Sequence, residues 1–378
     1  MPPGVSAKAG PRTVVSPPAP RAWRSSDVLR VVTIVVGVYL ALQVLWAGRT
    51  ILFIAFIGVL FGLALTAAVD RLQAYRVPRG VAAPLIVLSI LGALVGAGLL
   101  LAPKVTAQLQ DVQREVPQVI DRLESWVDQR VSGVVGMLRE QPEGSKPTGS
   151  VSIRQTVSGQ IGKVGGAFLA VFSSTLAALG ALLLILFTSI FVAIDPGLYH
   201  RGLMHLFPHS ARPRAGEVLS AVAVVLRRWL LTQLVAMLVI GVVTTIVLLL
   251  LGVQAAVALG IIAGLLEFIP YVGPIFSAVP AVAMALVSGP ETALYVILAY
   301  IGIQQMENHL LIPLLMKEGV DLPPVLTVLG QALMAVIFGF LGVLTAVPLM
   351  AGAMVPIKML YVEGVVGDEV TVLGEEDG

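Results

Sequence analysis

Glu267 and Glu307 are the two side chains at which chemistry would start. Glu267 lies in the apolar run Leu259-Gly260-Ile261-Ile262-Ala263-Gly264-Leu265-Leu266-Glu267-Phe268-Ile269, just before the break Pro270-Tyr271-Val272-Gly273-Pro274. Glu307 lies in the cluster Gln304-Gln305-Met306-Glu307-Asn308-His309, with apolar residues on both sides. A charged side chain at mid-bilayer costs about 2.5–3.5 kcal/mol on insertion scales, so a carboxyl kept there is a functional candidate. Either carboxyl is a candidate for proton exchange. On a helix Gln304, Glu307, Asn308 and Leu311 share one face, by steps of three and four. Its polar members would line a path or join a neighbouring helix, a contact worth about 0.6 kcal/mol. Gln331 sits early in a later apolar block. The expected substrate or ion pathway is therefore Glu267, Pro270, Tyr271, Gly273, Pro274, Gln304, Glu307, Asn308 and Gln331.

Other chemistries find no residues to carry them. The chain has no cysteine, which removes disulfides and thiolates. His205 and His209 are four apart, but Pro208 lies between them and no nearby carboxylate completes a metal set, so no metal site is expected. There is no His-Glu-x-x-His, no Gly-x-Ser-x-Gly and no phosphate-binding Gly-x-x-x-x-Gly-Lys-Ser/Thr. No basic patch carries interleaved aromatics, so no nucleic-acid partner is expected. The sequence predicts no catalytic residue, no cofactor and no enzyme.

These residues need a membrane scaffold to hold them. Hydrophobic residues make up 57% of the chain and charged residues 12%, against about 45–50% and roughly 25% in soluble domains. The reading is an all-α polytopic membrane protein with about six full spans and two re-entrant hairpins, eight apolar segments in all. The two apolar arms around Pro270 and Pro274 are each shorter than the roughly 20 residues a span needs. A break without backbone donors is tolerated only in packed protein or beside a watery cavity. Short apolar pairs interrupted by Gly and Pro are the best sequence pointer to a transporter's binding region.

Along the chain the expected divisions are a disordered cytoplasmic N-terminus (1–27), three spans (28–102), an extracytoplasmic amphipathic helical arm (103–163), a fourth span (164–194), a cytoplasmic loop (195–228), a core with two hairpins (229–357) and an acidic cytoplasmic tail (358–378). The Arg placement before the first span, in the Arg76–Arg79 loop and in the loop after Ile194 sets that orientation. The arm carries a heptad-like stripe that includes Val112, Val116 and Leu123, suited to packing on itself or on another subunit. The last block repeats marks of the first hairpin: Leu329-Gly330 for Leu259-Gly260, and Ala346-Val347-Pro348 for Ala278-Val279-Pro280. An inverted span-plus-hairpin repeat is one explanation.

Three stretches in combination resemble the autoinducer-2 exporter family of bacterial membrane proteins. They are Phe268-Ile269-Pro270-Tyr271-Val272-Gly273-Pro274, Gln305-Met306-Glu307-Asn308-His309-Leu310-Leu311-Ile312-Pro313 and Gly339-Phe340-Leu341-Gly342-Val343-Leu344-Thr345-Ala346-Val347-Pro348-Leu349. Arg76-Val77-Pro78-Arg79 is similar too, and the likeness runs from about residue 28 to 357. Thr232-Gln233 departs from the Gly-Gln pair common in that family. The resemblance implies a multi-pass transporter of the bacterial inner membrane that forms homo-oligomers, pentamers among them. Expected partners are the lipid bilayer and a small polar solute or a monovalent cation. Export of an autoinducer-2-like solute, passive or by ion gradient, is the first functional reading. Sodium/proton antiport is the alternative, and a membrane scaffold or assembly role the third.

Overall fold

The computed structural model describes residues 25–100, 103, 175–315 and 323–367, and among them there is no strand. The expected helical arm lies outside the described residues, Pro103 excepted. The helices are α1 (Ser25–Ala47), α2 (Arg49–Ala74), α3 (Arg79–Leu100), α4 (Thr175–Ile194), α5 (Pro196–Met204), α6 (Arg212–Leu250), α7 (Ala256–Leu266), α8 (Val272–Ser288), α9 (Pro290–Met306), α10 (Ile312–Leu315) and α11 (Pro324–Pro356). Two π-helical segments join them, Glu307–Leu311 between α9 and α10 and Ile357–Val366 after α11. The protein is an all-α polytopic membrane protein. Among the described residues, five helices are long and apolar enough to cross a membrane, or six if the bent pair α4–α5 is one span.

The chain divides into two compact units, residues up to Thr50 and residues from Ile51 on. In the first, α1 is exposed along its described length, as an apolar helix facing lipid would be.

In the second unit small residues set the helix crossings. Gly58 and Gly62, one turn apart on α2, lie against Thr188 and Val192 of α4. A Cβ there would stand 2.6 Å and 2.7 Å from those side chains' own Cβ atoms, so the backbones meet closely, as small-residue pairs allow in membranes. At the end of α4 the Asp195 side chain accepts from the Leu198 amide at 2.9 Å, Pro196 opens α5, and the chain bends by 86°.

Helix α6 corrects the expected loop 195–228. Its 39 residues run from Arg212, so only the first part of that segment is a loop with a short helix. Val218, Ala221 and Val225 recur at helical spacing and pack on Ala351, Val355 and Met359. Of the Arg residues that marked the segment as a loop, Arg212 and Arg227 lie on the opposite face of the helix, whereas Arg214, four before Val218, lies on the packed face itself. Arg214 donates to the Met359 carbonyl and to Glu363, both at 2.9 Å, and pairs with Glu217. It thereby ties the second π-helical segment, expected as the start of an acidic tail, to the start of α6.

Helix α6 also serves as a ruler for the two hairpins. Hairpin 1 is α7 and α8. Its base, Val253 to Leu259, packs with Leu248, and its tip reaches Gln233 and Trp229. Hairpin 2 lies within α11, which is not one straight span. Gly339 has φ 67° and ψ −146°, and a Cβ on Gly330 would meet Met350. In a straight helix those two residues would lie about 30 Å apart. The base of hairpin 2, at Val355 and Met359, packs on Val218 to Val225, and Val347 reaches Leu226 and Leu230. The tip at Gly339 is about 12 Å further on in the same direction. The two hairpins thus point in opposite directions along α6.

Candidate functional site

The tip of hairpin 1 brings Glu267 to Glu307. Three glycines let α7 approach α6 closely enough to place it. A Cβ on Gly260 would stand 2.8 Å from the Gly241 carbonyl oxygen and would collide with the Thr245 hydroxyl; one on Gly264 would stand 2.7 Å from the Met237 carbonyl oxygen. After Leu266 the chain turns sharply. The Val272 amide donates to the Pro270 carbonyl at 2.7 Å, and Tyr271 between them has φ 64° and ψ −44°. This is the γ-turn with positive φ, rare and strained for a residue with a side chain. Gly273 then enters α8 against the Leu266 carbonyl, where a Cβ has no space.

The tip is fastened to α6 at two points. Gln233 Nε2 donates to the Glu267 carbonyl at 2.6 Å, and Trp229 meets Phe268 edge to face at 5.8 Å. Among the described residues the side-chain donor to the break is Gln233. Gln304 instead donates to Glu307 Oε2 at 2.8 Å.

Glu307 opens the π-helical segment that follows α9. Pro313 explains the widened turn: it lacks an amide hydrogen, and its ring crowds the carbonyl four residues earlier. The expected face of Gln304, Glu307, Asn308 and Leu311 is consequently split. Gln304 and Glu307 line the cavity with Glu267, while Asn308 is exposed.

Glu267 is 1% exposed and Glu307 7%, and both line one cavity. An ionised carboxylate only accepts hydrogen bonds, so a bond between the two carboxyls needs a proton. They border a cavity of about 10 Å³ lined also by Thr244 of α6, Pro274 and Ser277 of α8, and Tyr300 and Gln304 of α9. That is room for about one water. No Lys, Arg or His lines it. Ser277 Oγ donates to the Pro274 carbonyl at 3.0 Å, and Tyr300 Oη donates to the Ser277 carbonyl at 3.3 Å, tying α9 to α8. Beyond Tyr300 the space is filled by apolar side chains around Met284 and Val296.

Of the residues expected from sequence, Glu267, Pro274, Gln304 and Glu307 converge here. Pro270, Tyr271 and Gly273 build the turn without lining the cavity. Gln331 lies on the first arm of hairpin 2, outside the cavity lining; it is 2% exposed and its side-chain amide has no partner among the described residues. Gln233, Thr244, Ser277 and Tyr300 are additions. Tyr300 was findable, being four before Gln304 and seven before Glu307 on one helical face. Thr244 and Ser277 are ordinary hydroxyls in apolar runs and carry no such signal.

Comparison with known proteins agrees with this architecture. The model of the family described as AI-2E family transporter matches residues 31–360. Three similar proteins bear the name "Putative transport protein". YrrI of Bacillus subtilis is 25% identical over 335 residues, covering 87% of this chain and 93% of its own. YueF of the same organism is 25% identical over 308 residues, 79% of this chain and 84% of its own. MT0215 of Mycobacterium tuberculosis is 30% identical over 288 residues, 75% of this chain and 76% of its own.

Proposed function

The chain belongs to the AI-2E family of transporters, and on that premise we propose that it exports a small polar solute of the autoinducer-2 kind across the bacterial inner membrane, driven by proton exchange at the Glu267–Glu307 pair. One observation carries the reading: two buried carboxyls from separate elements line one cavity, and no cationic side chain among the described residues lines it with them. Glu267 rides on a hairpin tip and Glu307 on a widened turn, both of which are elements that can move. Two ionised carboxylates facing one cavity repel, and loss of a proton shared between them drives them apart. Separation of tip from helix opens space for a solute that the closed cavity does not hold. Oppositely directed re-entrant hairpins supply a route to alternating access. Homo-oligomers belong to the same proposal.

Size favours a second reading. A cavity of about 10 Å³ suits a small dehydrated cation better than any organic solute, as sodium/proton antiport would need. One experiment separates the two. The chain is reconstituted in vesicles of phosphatidylethanolamine and phosphatidylglycerol, and fluxes of autoinducer-2 and of sodium are followed with a pH gradient, a sodium gradient or neither. Export predicts autoinducer-2 flux that follows the pH gradient and loses that dependence in Glu307→Gln. Sodium flux that dissipates the pH gradient with no autoinducer-2 movement selects antiport. Gradient-independent flux, unchanged in both Glu267→Gln and Glu307→Gln, removes the pair from the mechanism.

A further inference from the structure

Thr244 breaks a pattern that its neighbour keeps. Thr245 donates back to the Gly241 carbonyl at 2.8 Å, the usual way for a threonine to satisfy its hydroxyl inside a helix. Thr345 and Thr66 likewise bond to carbonyls in their own helices. Thr244 is 1% exposed, its Oγ1 has no partner among the described residues, and it lines the cavity of the carboxyl pair. A buried hydroxyl without a partner calls for a bound water or ion.

We propose that the Thr244 hydroxyl holds one water against Glu267 and Glu307, and that the shared proton enters and leaves the pair through this water. The inference rests on the proton-exchange reading above. The cavity has room for about one water, and a buried water needs two to four polar partners. Thr244 Oγ1, the two carboxyls and the free lone pairs of Ser277 Oγ supply them. The titratable groups that face the cavity are Glu267 from the hairpin tip and Tyr300 and Glu307 from the α9 side; none comes from α6 or α8. In the transfer the carboxyl O–H bond breaks and the carboxylate keeps its electron pair. The proton forms a new bond to the water oxygen, giving a hydronium that passes it on. Thr244 is a positioning residue in this scheme, and its hydroxyl neither gains nor loses a proton overall.

Infrared difference spectra of the full chain in the same vesicles, taken between acidic and alkaline pH, test this. Thr244→Val removes the hydroxyl at nearly constant shape, Thr244→Ala removes it with less bulk, and Thr244→Ser keeps it. The expected result is a protonated-carboxyl C=O band that moves to higher frequency in Val and Ala, as the bond to water is lost, and stays at the wild-type position in Ser. Deuterium exchange of that band should slow in the same two variants. Measuring Val and Ala together keeps the test decisive if one of them loses its fold. An unchanged band in whichever folds overturns the proposal. So does a band that shifts in the wild type when sodium chloride replaces choline chloride at fixed pH, since a cation then occupies the site. A carboxyl band that survives in the double variant Glu267→Gln/Glu307→Gln overturns the proton-exchange reading itself, a separate failure.

Discussion

Hairpin 1 turns through Glu267 to Tyr271, and hairpin 2 turns at Gly339 alone. The first turn is polar, strained at a tyrosine and fastened to α6 by Gln233. The second is apolar, and its Phe338 meets Phe53 of α2 edge to face at 5.0 Å. The arms differ as well. Hairpin 1 presses Gly260 and Gly264 onto α6, whereas hairpin 2 presses Gly330 and Gly342 onto its own opposite arm, beside Met350 and Met334. One hairpin is built as a plug held by a neighbouring helix, the other as a self-packed unit. The carboxyl at the first tip shares a cavity with Glu307, and at the second tip Phe338 meets the ring of Phe53. On the proposed function, similar chain plans divide the labour, with chemistry at one tip and packing at the other.

The strongest test of that division is charge removal at one tip against truncation at the other. Glu267→Gln and Glu307→Gln are each expected to lower pH-driven flux by about 100-fold, the scale of losing a proton-transferring group. Phe338→Ala should lower thermal stability in detergent and leave the response to the gradient intact. Loss of gradient response in Phe338→Ala would show that the second tip also carries chemistry.

Next in size are the glycines that fix each hairpin. Gly260→Ala puts a Cβ onto the Thr245 hydroxyl and 2.8 Å from the Gly241 carbonyl oxygen, and overpacking of this kind costs about 1–3 kcal/mol. Gly339→Ala forces a side chain into a backbone region open almost only to glycine, at about 1–3 kcal/mol. Thermal unfolding should drop in both, but flux in vesicles should fall more in Gly260→Ala, whose strain bears directly on the site. Equal flux losses would erase the distinction between plug and self-packed unit.

Gln331→Leu probes whether hairpin 2 hides a polar function. The amide is buried without a partner among the described residues, so an apolar replacement should raise stability by about 1 kcal/mol. Unchanged flux keeps hairpin 2 structural, and a loss of flux gives it a role in transport. The smallest effect is expected at Tyr271→Gly. Relief of the positive φ should raise the unfolding free energy by about 1 kcal/mol or less, while a looser tip slows transport. A faster transporter would show that the strain opposes function.

Much of this was legible along the chain because it depends on local chemistry. Pro270 and Gly273 announce a turn whatever surrounds them, and Gly339 does so at the second tip. Apolar runs of span length announce a membrane. Glu267 and Glu307 stand out because a carboxyl among apolar residues is conspicuous at any register. The start of α6 was misread as loop because its Arg residues outweighed the helical spacing of Val218, Ala221 and Val225. That spacing acquires meaning only when Ala351 and Val355 arrive to cover it.

Sequence alone determined the membrane class, the family signature, the two breaks and the pair of carboxyls, since each follows from residue type and short-range spacing. Tertiary structure alone decided that the carboxyls face one cavity, that Gln233 holds the tip, that Asn308 turns away past the π-helical segment, and that Thr244 rather than Thr245 faces the cavity. Those facts depend on the rotation of one helix against another. Rotation is set by close approaches such as Gly260 on Gly241, between residues far apart in the chain, and nothing local in the sequence specifies it.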